Sequence, residues 1–248
     1  MIRLLGDHSL SSASKRIAHL LRSFGVGKAV SVCWATLDDQ LLKSFDRWYR
    51  VTTSGYISLA STSFDPSKLR NATSYGAVNA WAFRSLLKTL GLPKTLHFVD
   101  LGCGLGRACI LAAEYGFEKV TGVELAPELC TLARKNLSTC RLPASTMARA
   151  QIVEADALEY CEHSDDDLFF IYRAFSEEFF NTVLQKLTQK ATPRNKPLTI
   201  IYTERLYAAR STYVTALSDE EIFRKLYRGD ALGQSFYVFQ SVSQPVPK

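Results

Sequence analysis

The chain has 248 residues, enough for one large domain, and its 47% hydrophobic and 22% charged residues are ordinary for a soluble globular protein. Lys and Arg total 30 against 24 Asp and Glu, a formal charge of +6 spread along the chain, so composition permits an acidic partner without indicating nucleic acid. No apolar run approaches the roughly 20 residues that span a bilayer. The six cysteines (33, 103, 109, 130, 140 and 161) show neither C-x-x-C spacing nor a zinc-like pattern with histidine, so no metal site is expected.

Residues 1–37 carry a single acid, Asp7, beside Arg3, Lys15, Arg16, Arg22, Lys28 and several serines, with Ile17, Leu20, Leu21 and Phe24 at helical spacing. Two readings fit: an organelle transit peptide, or an N-terminal helix packing its apolar stripe on the domain. The second is adopted, with a cytoplasmic location. Residues 1–77 read as an N-terminal helical extension covering the sheet, and residues 78–248 as the main domain. Val78–Leu90 is predicted as an amphipathic helix, ended by Gly91 and Pro93. Leu96–Leu101 then reads as a first strand, Ala108–Tyr115 as a helix stopped at Gly116, and Lys119–Glu124 as a second strand. Pro127–Leu137 follows as a helix and Ala150–Glu154 as a third strand. Asp167–Tyr172 is apolar on both faces, as a central parallel strand should be. Glu177–Gln189 makes another helix and Leu198–Thr203 a fifth strand. Ile222–Tyr227 and Phe236–Gln240, separated by RGDALGQS, suggest a terminal antiparallel hairpin.

The strongest signal is Asp100-Leu101-Gly102-Cys103-Gly104-Leu105-Gly106, directly after the first strand and opening a helix. A strand that turns at once into a helix needs residues free to take positive φ, and missing side chains let a ligand approach the amides of a helix N-terminus. The spacing is G-x-G-x-G, not the dinucleotide G-x-G-x-x-G, and an acid before the first glycine would repel a pyrophosphate but suits an ammonium. A nicotinamide oxidoreductase is correspondingly disfavoured. Glu124 ends the second strand, placed to accept from both ribose hydroxyls. Asp156-Ala157 follows the third, placed for a carboxylate and a backbone amide to meet adenine.

From about Val78 to Thr203 the chain resembles the class I S-adenosylmethionine-dependent methyltransferases: VDLGCGLGR matches their first motif, GVEL the ribose motif and EADALEY the adenine motif. The resemblance implies an α/β, Rossmann-like fold with a mostly parallel seven-stranded sheet and a C-terminal antiparallel hairpin. It also implies S-adenosyl-L-methionine as cofactor. Gly102, Gly104 and Gly106 would frame its methionine with Asp100 near the amino group. Glu124 and Leu125 would take the ribose, and Asp156 and Ala157 the adenine. FDRWYRVTTSGYI (Phe45–Ile57) and SYGA (Ser74–Ala77) are similar to the leader of a group of bacterial methyltransferases, and SYGA with DLGCGLGR resembles the non-SET histone-lysine methyltransferases. Carried over, Tyr75 lies beside the cofactor and Thr52 or Thr53 contributes.

One stretch departs from the pattern. Amine-methylating relatives place Asn-Pro-Pro-Tyr, Asn-Pro-Phe or Asn-Asn-Phe after the fourth strand, whereas this chain reads Ile171-Tyr172-Arg173-Ala174-Phe175. The aromatic survives as Phe175, but a guanidinium only donates hydrogen bonds, so Arg173 suits a substrate carboxylate or phosphate instead of an amine. Tyr75, Tyr172 and Phe175 are the candidate catalytic residues, with Glu204 a further acid near the site. The expectation is methyl transfer to a nitrogen or oxygen acceptor, protein lysine or small molecule, with no membrane. The alternative is a catalytically silent relative that binds cofactor or a partner protein.

Overall fold

The computed structural model describes residues 40–55, 75–192, 196–206 and 212–242. Residues 1–37, expected to form a packed N-terminal helix with an organelle address as the alternative, lie outside them, as does most of the N-terminal extension. In chain order the elements are α1 (residues 40–49), α2 (Ala80–Leu90), β1 (His97–Leu101), α3 (Arg107–Tyr115), β2 (Lys119–Glu124) and α4 (Pro127–Thr139). Then come α5 (Ala144–Met147), β3 (Ala150–Glu154), α6 (Ala157–His163), β4 (Leu168–Tyr172) and α7 (Glu177–Ala191). The last are β5 (Thr199–Arg205), α8 (Thr212–Asp219), β6 (Phe223–Ala231) and β7 (Gln234–Ser241). Leu42–Lys248 form one compact unit; of the other, Met1–Leu41, only the last two residues are described.

Several ends follow from local chemistry. The helix expected from Val78 starts at Ala80, because the Asn79 side chain accepts from the Trp81 and Ala82 amides and takes the cap. Gly91 closes α2 at φ 57. Asp156 caps α6, a helix the apolar periodicity did not announce, by accepting from Leu158 N–H. The hairpin loop is shorter than RGDALGQS suggested: β6 runs to Ala231 and β7 resumes at Gln234. Only Leu232 and Gly233 turn, both at positive φ (44 and 78), as a two-residue connection matched to strand twist requires.

The seven strands pair in the order β3-β2-β1-β4-β5-β7-β6, parallel throughout except where β7 runs antiparallel to β5 and β6. Alternation along the central strands splits the core in two. Phe98, Phe170 and Ile201 face one side with Phe83, Leu87 and Ile110, while Val99, Phe169, Ile171 and Tyr202 face the other with Cys161, Phe180 and Leu187. Strand order reverses between β1 and its neighbours β2 and β4, so the carboxyl end of β1 is the switch point where open α/β sheets bind ligands. No helix among the described residues is long and apolar enough to cross a membrane.

Candidate active site

A cleft enclosing about 970 Å³ of space, its open mouth included, lies at that switch point. Lining it are Asp100, Gly102 and Gly104 after β1, Glu124 and Leu125 after β2, and Asp156 and Ala157 after β3. Tyr172, Ala174 and Phe175 follow β4, Phe179 adds a ring from α7, and Tyr75 closes from the leader. Of the residues singled out in the sequence, Thr52, Thr53, Gly106, Arg173 and Glu204 are not among those that line it, and Glu204 is buried where it accepts from the Tyr202 hydroxyl at 3.3 Å. Gly106 lies deeper, capping α3 at φ 81. Arg173 is exposed beside the mouth at φ 41, an uncommon backbone conformation for a residue with a Cβ.

The turn after β1 is defined by close approaches. Gly102 and Cys103 both donate to Val123 O, at 2.9 and 3.0 Å. A Cβ on Gly102 (φ 78) would lie 2.4 Å from the Ala174 Cβ, and one on Gly104 (φ 52) would lie 2.1 Å from the Tyr75 ring. Side chains are therefore absent at these two positions for space as well as for dihedral angle.

Three acids meet here in different states. Asp100 is buried, and no cationic side chain among the described residues pairs with it; burial, reinforced by the negative charge of Glu124, pushes its carboxyl up to about 8. Cys109 Sγ is its near neighbour at 3.9 Å. Glu124 accepts from the amides of Gly104, Leu125 and Ala126, each at 2.9 Å. Burial raises its pKa and those three amides oppose the rise. Asp156 uses Oδ1 for the α6 cap at 2.8 Å. The Tyr75 hydroxyl donates to Thr53 O at 2.7 Å, so its proton is engaged, and burial raises its pKa.

Behind the turn lies a hub that the sequence reading missed. Arg107 is 2% exposed. Its Nε donates to Thr53 Oγ1 at 2.8 Å, and its Nη2 donates to Asp46 Oδ1 at 3.0 Å and to Leu42 O at 3.1 Å. Its guanidinium lies 4.6 Å from the centre of the Phe45 ring. Asp46 also accepts from the amides and hydroxyls of Thr53 and Ser54. Asn136 of α4 reinforces the tie, accepting from Thr52 N–H and donating to Thr52 O and Leu105 O. A signal was present: Arg107 is the one charged residue between Leu101 and Glu114, in a run otherwise apolar or glycine.

The family model for the histone methylation protein DOT1 matches residues 56–151, less than half of the chain. A search of curated protein sequences found no match. Among solved structures, the glycopeptide N-methyltransferase MtfA complexed with S-adenosylhomocysteine aligns at a TM-score of 0.54 and 13% identity, covering 67% of this chain and 91% of that one. The ribosomal protein L11 methylase of Lactobacillus delbrueckii subsp. bulgaricus aligns at 0.51 and 17% identity, covering 71% and 83%. The fold of this chain is that of the class I, seven-stranded S-adenosylmethionine-dependent methyltransferases.

Proposed function

We propose that the chain is an S-adenosylmethionine-dependent methyltransferase acting on a nitrogen or oxygen acceptor. One observation carries this reading: a single cleft joins the glycine turn after β1 to acids at the ends of β1, β2 and β3. The residues present fit an aminoacyl nucleoside. The two glycines leave a cradle that a Cβ would fill, and Asp100 is a buried carboxyl to which a ligand ammonium would bring the missing positive charge. Each Glu124 oxygen has about two acceptor sites, so three amides leave room for a ribose hydroxyl. Asp156 keeps Oδ2 for an adenine amino group.

When bound, the cofactor supplies an electrophilic methyl carbon on a sulfonium. The chain's own work is then alignment and exclusion of water. The Tyr75 ring covers the turn, while Tyr172, Phe175 and Phe179 wall the far end of the cleft. Tyr213, whose hydroxyl donates to Phe175 O at 3.0 Å, holds that wall in place. Arg173, strained and beside this end, is assigned to a carboxylate or phosphate on the acceptor. The DOT1 match ends at residue 151, inside β3, so it supports the glycine turn and Glu124 and reaches neither Asp156 nor the acceptor segment.

Binding of S-adenosylmethionine and S-adenosylhomocysteine by calorimetry, followed by a methyl-release assay over protein and small-molecule fractions, tests the reading; no binding of either ligand would end it. Glu124→Ala should weaken cofactor binding by about 1.5–3 kcal/mol, the size of a charged hydrogen bond. It should also lower the melting temperature, because three amides lose their acceptor. Arg173→Ala should leave the cofactor dissociation constant within about twofold, since an exposed guanidinium off the cleft adds little to it, while turnover on the true acceptor falls. Equal loss of both would make Arg173 a structural residue. A silent, cofactor-binding relative is the second reading, favoured by Arg173-Ala174 at the acceptor position and by the committed Tyr75 hydroxyl. Tight binding with no turnover on any fraction would select it.

A further inference from the structure

The wall formed by Tyr75 is not anchored where it stands. Among the described residues its side chain has one polar tie, the hydroxyl, which donates to Thr53 O. Thr53 is fully buried, and its hydroxyl both donates to Asp46 Oδ1 at 2.6 Å and accepts from Arg107 Nε at 2.8 Å. Arg107 is the first residue of α3, one position after Gly106, so its backbone is continuous with the glycine turn. A chain of contacts thus runs from the turn through Arg107 to Thr53 and back to the turn through the Tyr75 ring. Asp46 completes it with an ion pair whose two side chains are 12% and 2% exposed.

We propose that Arg107 is a positioning residue for the cofactor: through the Thr53 hydroxyl it holds Tyr75 against Gly104 and so preassembles the roof of the methionine end before ligand arrives. The inference rests on the reading of the cleft as a cofactor site. A buried guanidinium must place all its donors, and here Nη2 serves Asp46 and Leu42 O while Nη1 serves Val78 O. The Nε bond is directed elsewhere, to the one residue whose carbonyl holds Tyr75. Guanidinium geometry makes this possible, because Nε and Nη2 donate along different directions from one rigid plane; an ammonium lacks that fork.

The test uses the full chain, with S-adenosylhomocysteine as probe. Thr53→Val keeps side-chain volume but removes the hydroxyl, and Thr53→Ser keeps the hydroxyl. Thr53→Val is expected to weaken the probe about tenfold, the loss of one or two hydrogen bonds, mainly through faster dissociation. Thr53→Ser should restore wild-type affinity. In a double-mutant cycle, Tyr75→Phe should add little in the Thr53→Val background, because the two act in series. Arg107→Lys, which retains a charge for Asp46, should show the same loss wherever it folds, checked by circular dichroism. Wild-type failure to bind the probe would overturn the cofactor reading itself. Wild-type binding with Thr53→Val unchanged, or with strictly additive effects of Thr53→Val and Tyr75→Phe, would overturn the role of Arg107 alone.

Discussion

Gly104→Ala is expected to bind S-adenosylhomocysteine at least about 100-fold more weakly than the wild type, and to be less stable by about 2–4 kcal/mol. The added Cβ would lie 2.1 and 2.4 Å from two atoms of the Tyr75 ring, at a backbone φ of 52. Overpacking in a tight core costs about 1–3 kcal/mol and the left-handed conformation about 1–2 for a residue with a Cβ. Relief requires Tyr75 to leave, which opens the cleft beside the glycine turn. Gly76→Ala is the control: a Cβ there meets nothing within 4 Å, so stability should move by less than about 1 kcal/mol. Urea unfolding and calorimetry on the two variants make the comparison. Wild-type affinity in Gly104→Ala would mean that Tyr75 does not cover the turn in the bound protein.

Asp100→Asn should have the opposite effect on stability and a similar one on binding. In the folded, ligand-free chain the Asp100 carboxyl titrates at about 8, against an ordinary 3.8. Below 3.8 it is protonated in folded and unfolded chains alike and contributes nothing to pH dependence. Between 3.8 and 8 the unfolded chain releases the proton and the folded chain keeps it, so stability falls as pH rises. Above 8 the full cost of the buried carboxylate is present. Asp100→Asn removes this slope, and its urea midpoint should exceed the wild type's at pH 8. A ligand ammonium favours the ionised acid, so wild-type binding should release a proton and strengthen from pH 6 to 8. Asp100→Asn should bind about 10- to 100-fold more weakly at pH 8, from loss of a charged hydrogen bond. Calorimetry in buffers of different ionisation heat reads the proton directly. An unchanged slope of stability with pH in the variant would remove Asp100 from this role.

The sheet, and the gathering of the glycine turn with the strand-end acids in one cleft, were legible in the sequence because each rests on local rules. Strand alternation, glycines at a strand-to-helix turn and an acid at each strand end are all visible within a dozen residues, and the pairings of β1 to β5 place those acids together. The hub around Arg107 was not legible, since it depends on partners 54 to 65 positions away, and nothing local to DLGCGLGR says that Asp46 and Thr53 will arrive. The hairpin turn was misjudged for a related reason. Arg228-Gly229-Asp230 has the composition of a loop, but pairing with β7 carries it on as strand. Tertiary hydrogen bonding overrode turn propensity there.

The position of β7 has a consequence for how the molecule is made. Of the seven strands it is made last, yet it sits inside the sheet, between β5 and β6. Until it emerges, the edge of β5, with Ile200, Ile201 and Tyr202 fully buried in the finished protein, has no neighbour on that side and offers a sticky strand to other nascent chains. Translation must therefore run to Ser241 before the cleft at the end of β1, three strands away, rests on a complete sheet.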